Sequence, residues 1–349
     1  MKVFIPTSVS ALLLALSGFS SNSVCASPED AHSRVPVYYA KPYLTAATTM
    51  FGALIEGAAV DKSGNFYAIH FNSTKSAAGR AFDKQSLFYL DKAYKGAWFN
   101  GMRFNIGRDG VQEAYLGDLT NHRIVRVRDP GNKGSFGYSE TFCQSPGMLQ
   151  PNDLAIAHST GRLFLSGMRF KANSVVGDGD LWTCDSNGVA TKLGTFHRTN
   201  GIEVSPDEKT LYVSESINKG DKVVSNVIHA FDLDADKGTI RNKRKLVDFG
   251  QLDGSGANDV DGMRTDEQGN LYVARWGAGR IAKVSPAGRL LAYIKLPSIA
   301  EVTNLELAGP NGKDLFAVGA CKADPSKGCV DTYSVPVGGR AFKNLQTKG

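Results

Sequence analysis

Long apolar runs are scarce in this chain. Beyond its first residues no segment approaches 18 consecutive apolar positions, which argues against a membrane-spanning helix. An excess of one charge is also missing: 40 Lys and Arg stand against 34 Asp and Glu, a formal +6. The basic residues are scattered without interleaved aromatics, so no nucleic-acid partner is expected, and the one basic cluster, Arg241 to Lys245, reads as a solvated loop. There is no Gly-x-Ser-x-Gly elbow to expose a serine nucleophile, and no Cys-x-x-Cys pair, the spacing a competing zinc reading would need. The Gly-rich stretch Asp253-Gly-Ser-Gly-Ala-Asn-Asp259 matches neither the phosphate-loop nor the EF-hand spacing. It is expected to be a flexible loop bordering a site.

Cysteine is sparse, five in all, and its placement is informative. The first 26 residues carry Lys2, an apolar stretch from Ala11 to Phe19 and the small-residue ending Val24-Cys25-Ala26. That pattern is a secretory signal peptide, so the chain is expected to be secreted and extracellular, with no membrane association once mature. Cleavage removes Cys25 and leaves Cys143, Cys184, Cys321 and Cys329. An even number in an oxidising compartment predicts disulfides: Cys321 with Cys329, closing a short Lys, Asp, Pro and Gly loop, and Cys143 with Cys184. Asn72-Ser73-Thr74 is a glycosylation sequon, expected at the surface.

What the sequence has in abundance is a repeat. Asn200 to Ser216 reads as an apolar alternation, a Ser-Pro-Asp turn and a second alternation, which is a tight β-hairpin. Five other segments share the pattern: Glu56 to Phe71, Asn100 to Leu119, Asn152 to Met168, Asp261 to Trp276 and Thr303 to Ala320. Their starts lie 42 to 61 residues apart, close to one four-stranded propeller blade per repeat. The expected fold is therefore all-β, a six-bladed β-propeller with a central tunnel. Residues 1–26 form the signal peptide, 27–50 a lead segment that wraps the outside or completes the last blade, and 51–349 the propeller.

In a propeller the first strand of each blade lines the tunnel, so the residues heading the repeats meet at one mouth. They are Glu56, Asn100, Asn152, Asn200, Asp261 and Thr303, and five of the six carry a carboxylate or amide oxygen. Hard oxygen donors without His or Cys suit Ca²⁺ or Mg²⁺ better than zinc or copper. The competing explanation is local: Asn-Gly and Asp-Gly are ordinary turn pairs, and taken singly each head is better read as a turn. The use of the same strand edge in each repeat favours ligands.

The strings NGIEVSPDEKTLYVSES and DGMRTDEQGNLYVARWGAGRIAKVSPAGRLLAYIKLP closely resemble the family of gluconolactonase, senescence marker protein (regucalcin) and luciferin-regenerating enzyme, over roughly residues 50 to 335. The resemblance implies a divalent metal at the tunnel, held by Glu56, Asn152, Asn200 and Asp261. Gln150 stands where the family often has an arginine, which weakens sugar lactones relative to other lactones. Calcium leads as the ion, with Mg²⁺, Mn²⁺ and Zn²⁺ as alternatives, and the partner is a small lactone. Asp261, one of only two carboxylates among the heads, is the candidate catalytic base. Asn100, Gln150 and His197 are candidates for substrate contact, although His197 also reads as ending an outer strand. Two other functions stay open, phosphotriester hydrolysis and non-catalytic ligand binding around a structural ion.

Overall fold

The computed structural model describes residues 35–70, 77–82, 84–89, 96–129 and 138–347. The expected signal peptide and the Asn72 sequon lie outside the described residues. The hairpins fold for local reasons visible in the fourth repeat. Ile202, Val204, Leu211 and Val213 are buried, alternating with residues that face the other side, as a strand requires. Between them Ser205 Oγ donates to Asp207 Oδ1 at 2.6 Å and accepts from Thr210 N at 2.9 Å. Pro206 presets the backbone at the first turn position, and Arg198–Val204 pairs antiparallel with Thr210–Lys219.

The strands form six sheets. The first holds Ile55–Val60, Phe66–His70, Ala77–Phe82 and Lys84–Tyr89, and the second Phe99–Ile106, Gln112–Asp118, Arg123–Asp129 and Tyr138–Gln144. The third holds Gln150–Ala157, Arg162–Met168, Gly179–Cys184 and Ala190–Phe196, and the fourth Arg198–Val204, Thr210–Lys219, Lys222–Asp234 and Thr239–Asp248. The fifth runs Val260–Thr265, Leu271–Arg275, Arg280–Val284 and Leu290–Lys295, and the sixth Ile299–Ala308, Asp314–Cys321 and Gly328–Ser334. Each first strand touches the first strand of the next sheet, and that of the sixth touches that of the first. The sheets thus close into a ring, the architecture of a β-propeller.

The N-terminal lead supplies the remaining strands. Lys41–Leu44 pairs antiparallel with Gly328–Ser334 and completes the sixth sheet. Val37–Tyr39 adds to the fifth in parallel, Tyr38 opposite Ile294. Five sheets thus have the expected four strands, whereas the fifth sheet has five, because the lead covers an edge that would otherwise expose unpaired backbone groups. Apolar clusters fill the space between neighbouring sheets. Phe66 of the first stacks on Phe316 of the sixth, ring centroids 4.9 Å apart, and Tyr67 leans on Phe104 of the second at 4.8 Å.

The basic cluster is a correction. Arg241 to Lys245 is not a loop but part of the outer strand Thr239–Asp248. Its cations are exposed and pair with acids on neighbouring strands, Arg244 with Asp232 at 2.8 Å and Lys243 with Glu215 at 2.8 Å. A charged outer strand discourages edge-to-edge association. His70 has a structural role, its Nε2 accepting from Gly52 N at 3.2 Å.

Both disulfides form as the sequence implies. Cys143–Cys184 ties the second sheet to the third, with Cα atoms 6.2 Å apart, and Cys321–Cys329 joins two strands of the sixth at 5.0 Å. Mass analysis after alkylation without reduction should therefore show Cys143, Cys184, Cys321 and Cys329 unlabelled. Two or more labelled cysteines would contradict this pairing.

Candidate functional site

The head residues are set apart by a feature of the strands themselves. In all six first strands the pairing register slips at or beside the head: between Glu56 and Ala59, Phe99 and Met102, Pro151 and Asp153, Thr199 and Ile202, Val260 and Met263, and Val302 and Asn304. Such bulges interrupt the ladder and re-aim a side chain. The glycines that follow the heads serve close approach rather than turns. A Cβ at Gly57 would lie 2.1 Å from Asn100 O, and one at Gly201 would lie 2.1 Å from Asp261 O. Only glycine lets the adjoining strands come this near, so the Asn-Gly and Asp-Gly pairs bring neighbouring heads together.

Glu56, Asn200 and Asp261 interact directly. Glu56 is half-buried and Asp261 is buried, and loss of water pushes both carboxyls upward, Glu56 to about 8 and Asp261 well above the usual carboxylate range. The negative charge of Asp153 adds to both shifts, and that of Glu56 adds to the shift of Asp261. The Asn200 side chain lies close enough to Asp261 to moderate its upward shift, and its Oδ1 is buried with no hydrogen-bond partner. Asn152 is buried on the intervening third sheet, its carbonyl 3.0 Å from the position a Cβ would take at Gly101. Asn100 is buried beside it, also with Oδ1 unpartnered. Gln150 is exposed at the start of its strand. His197 stands apart: its N–H donates to Glu215 Oε1 at 3.0 Å, and none of its hydrogen bonds among the described residues reaches a head.

Two residues of this centre escape a reading by repeat heads alone, Asp153 and Asn304. Both occupy the position after the head, which is glycine in the other blades apart from these two. Asn304 hydrogen-bonds Glu56 and its Oδ1 accepts from Leu305 N at 2.9 Å. Asp153 pairs with Arg103 at 3.2 Å and lies 3.7 Å from Arg264. The departure from glycine at these two positions was the available signal.

Beneath the heads lies a belt of buried ion pairs. Arg103 and Arg264 share Asp153, Arg264 also meets Glu306 at 3.0 Å, and Arg340 meets Glu203 at 2.6 Å. Arg340 comes from the C-terminal helix Arg340–Thr347 and donates to Ile156 O at 3.1 Å as well. Three arginines and three carboxylates thus balance within the belt, and the charges of Glu56 and Asp261 remain over. The nearest further cation is Arg198, which acts on Asp261 but is bonded to Asp259. Asp259 in turn accepts from Ser216 Oγ at 2.5 Å and Asn226 Nδ2 at 3.0 Å. The Gly-rich loop does border the site, but it is pinned, since Arg275 donates to Ser255 O and Asn258 O, each at 2.7 Å.

No group of three or more His, Cys, Asp or Glu among the described residues is arranged for a metal, so a fit rests on two carboxylates and amide oxygens. The donor chemistry does fit a hard divalent cation: two buried carboxylates in excess of the local arginines and an unpartnered amide oxygen on Asn200. The sign of a pH effect follows. Without a cation, Glu56 keeps its proton in the folded chain up to about 8 and loses it near 4.5 when unfolded, so its contribution to stability falls as pH rises through that interval. A cation that displaces the proton removes this loss. The gain in melting temperature on adding saturating Ca²⁺ should therefore be larger at pH 8 than at pH 5; an equal gain at both would contradict the assignment.

The SMP-30/Gluconolactonase/LRE-like region model matches residues 100–320. Regucalcin of Xenopus laevis is 32% identical over 145 residues, 41% of this chain and 44% of that protein. The pentonolactonase of Haloferax volcanii is 25% identical over 240 residues, 68% of this chain and 74% of that protein. Against the regucalcins of Xenopus laevis and Danio rerio the chain spans about half of their length. Among solved structures, the calcium-binding protein regucalcin of Agrobacterium tumefaciens superposes with TM-score 0.67 at 19% identity, over 87% of this chain and 97% of that one. A gluconolactonase of Xanthomonas campestris gives 0.59 at 19%, over 86% and 97%. The family match runs from the second sheet into the second strand of the sixth and includes three of the four proposed ligands, and the chain belongs to the SMP-30/gluconolactonase/LRE-like family.

Proposed function

We propose that this protein is a secreted lactone hydrolase dependent on a divalent cation, Ca²⁺ first, held by Glu56, Asn152, Asn200 and Asp261 at the mouth of a six-bladed propeller. The observation that carries the reading is the meeting of two carboxyls, half-buried Glu56 and buried Asp261, both with raised proton affinity, beside an unpartnered amide oxygen on Asn200. The names of relatives support the substrate class and the ion: pentonolactonase, gluconolactonase and calcium-binding regucalcin.

When bound, such an ion polarises an ester carbonyl and makes water more acidic. The chain's own residues supply the rest. Asp261 accepts a proton from the attacking water and returns it to the ring oxygen as the acyl–oxygen bond breaks, so one water is consumed and a hydroxy acid is released. Asn200, beside Asp261, favours the carboxylate form of that side chain. Arg198 and Asp259, bonded to each other two residues ahead of the heads, brace the same two strands. Burial and the neighbouring carboxylates raise the proton affinity of Asp261, so a cation beside it favours the ionised form that serves as a base and links activity to the cation.

A pH-stat assay of aldonolactones and aliphatic or aromatic lactones, run on chelated protein with Ca²⁺, Mg²⁺, Mn²⁺ or Zn²⁺ restored, tests this. Hydrolysis should return with the cation. Equal rates before and after chelation would exclude the mechanism.

A further inference from the structure

The head residues form the inner ring of the mouth, and the residues two places earlier form an outer one. Five of these six stand at the first position of the strand or just before it, and Glu301 two residues in, at the end that carries the heads. Around the six sheets they read Leu54, Trp98, Gln150, Arg198, Asp259 and Glu301. Their properties are unevenly distributed. Leu54 and Trp98, on adjacent sheets, are 52% and 37% exposed. Arg198 and Asp259 are buried and bonded to each other, so their charges are mutually satisfied.

Exposed aromatics flank that pair. Phe170, 69% exposed, has its ring 5.1 Å from the Arg198 guanidinium, and Trp276, 40% exposed, donates its backbone N–H to Asp259 O at 3.0 Å. Both sit on loops between second and third strands, which antiparallel order places at the same end as the heads. Among the described residues the opposite end exposes only Tyr138 and Val189 of comparable apolar size. Apolar surface is thus concentrated around the mouth, and it is continuous with the strands that carry the proposed ligands. Of the outer-ring residues the exposed polar ones are Gln150 and Glu301, with Arg169, Lys171 and Asn173 exposed on the loop that carries Phe170.

We infer that the outer ring seats an apolar substituent, so that the preferred substrates are lactones bearing an alkyl or aryl group rather than sugar lactones. The inference rests on the lactonase reading above and specifies its substrate class. Complete burial of a methylene favours binding by about 4-fold, and a half-open rim should give roughly half of that in free energy, about 2-fold per methylene.

The test is kcat/KM for γ-lactones with methyl to hexyl side chains, measured on the Ca²⁺-loaded full chain and on two double variants, Leu54→Ser with Trp98→Ser and Phe170→Ser with Trp276→Ser. The unmodified protein should show a rise of roughly 30-fold across the five added methylenes, and at least one double variant should flatten that slope by more than half, with a melting curve close to that of the unmodified protein. A flat chain-length profile, or a gluconic or pentonic lactone turned over faster than the hexyl lactone, overturns the inference alone. A slope unchanged in both folded variants does so too, even if they lose binding to phospholipid vesicles, since the rim would then dock a membrane rather than a substrate. Absence of hydrolysis for every lactone, with every cation, overturns the underlying function as well.

Discussion

Asp261→Asn, assayed at saturating cation, is expected to hydrolyse its lactone at least about 100-fold more slowly than the unmodified protein, within the range assigned to general acid and base catalysis. The substitution keeps the size and one hydrogen-bonding oxygen while removing a charge and a base. Asp261 is buried beside Asn200 and surrounded by the charges of Glu56, Asp153 and Arg198, so no other described side chain takes its position. Cation affinity should fall as well, because one of two carboxylates has gone. Titrating the cation to saturation separates the two effects. If the loaded variant turns over at the unmodified rate, Asp261 is not the base, although it can still be a ligand.

The second large effect concerns the belt beneath. Arg264 is 1% exposed and meets Asp153, Glu306 and the carbonyl of Ala58. Arg264→Met should destabilise the fold by roughly 3–5 kcal/mol, the usual cost of leaving a buried charge without its partner. Chemical denaturation measures it directly. Adding Glu306→Gln to that variant should recover part of the loss, because the stranded carboxylate is then neutral. A loss of less than about 1 kcal/mol, within the range of exposed pairs, would mean that water reaches the belt and that the balance of charges drawn here is wrong.

Much of this architecture was legible in the sequence, for reasons that can be named. The repeat gave the sheets because each hairpin needs its own alternation and turn, and Ser205 to Thr210 shows both in six residues. It gave the heads because a recurring bulge needs a residue free of the ladder. It missed Asp153 and Asn304, since attention to a repeated position hides what replaces glycine next to it. The fifth strand of the fifth sheet was beyond a reading by repeats, because Val37–Tyr39 belongs to no repeat and pairs with Leu290–Lys295 across more than 250 residues of chain. Arg241 to Lys245 was misjudged because charge alone does not distinguish an exposed outer strand from a loop. The belt was invisible for a different reason: Arg340 reaches Glu203 from a helix that follows the last sheet, a contact that no local pattern encodes.

Calorimetric titration of Ca²⁺ into chelated protein at pH 7, in two buffers of different ionisation enthalpy, tests the central claim most directly. The account predicts one strong site per chain, with protons released as Glu56 and Asp261 give theirs up, and loss of that site in both Glu56→Gln and Asn200→Ala. A chain that binds no divalent cation, or binds it equally well in both variants and without proton release, would contradict it.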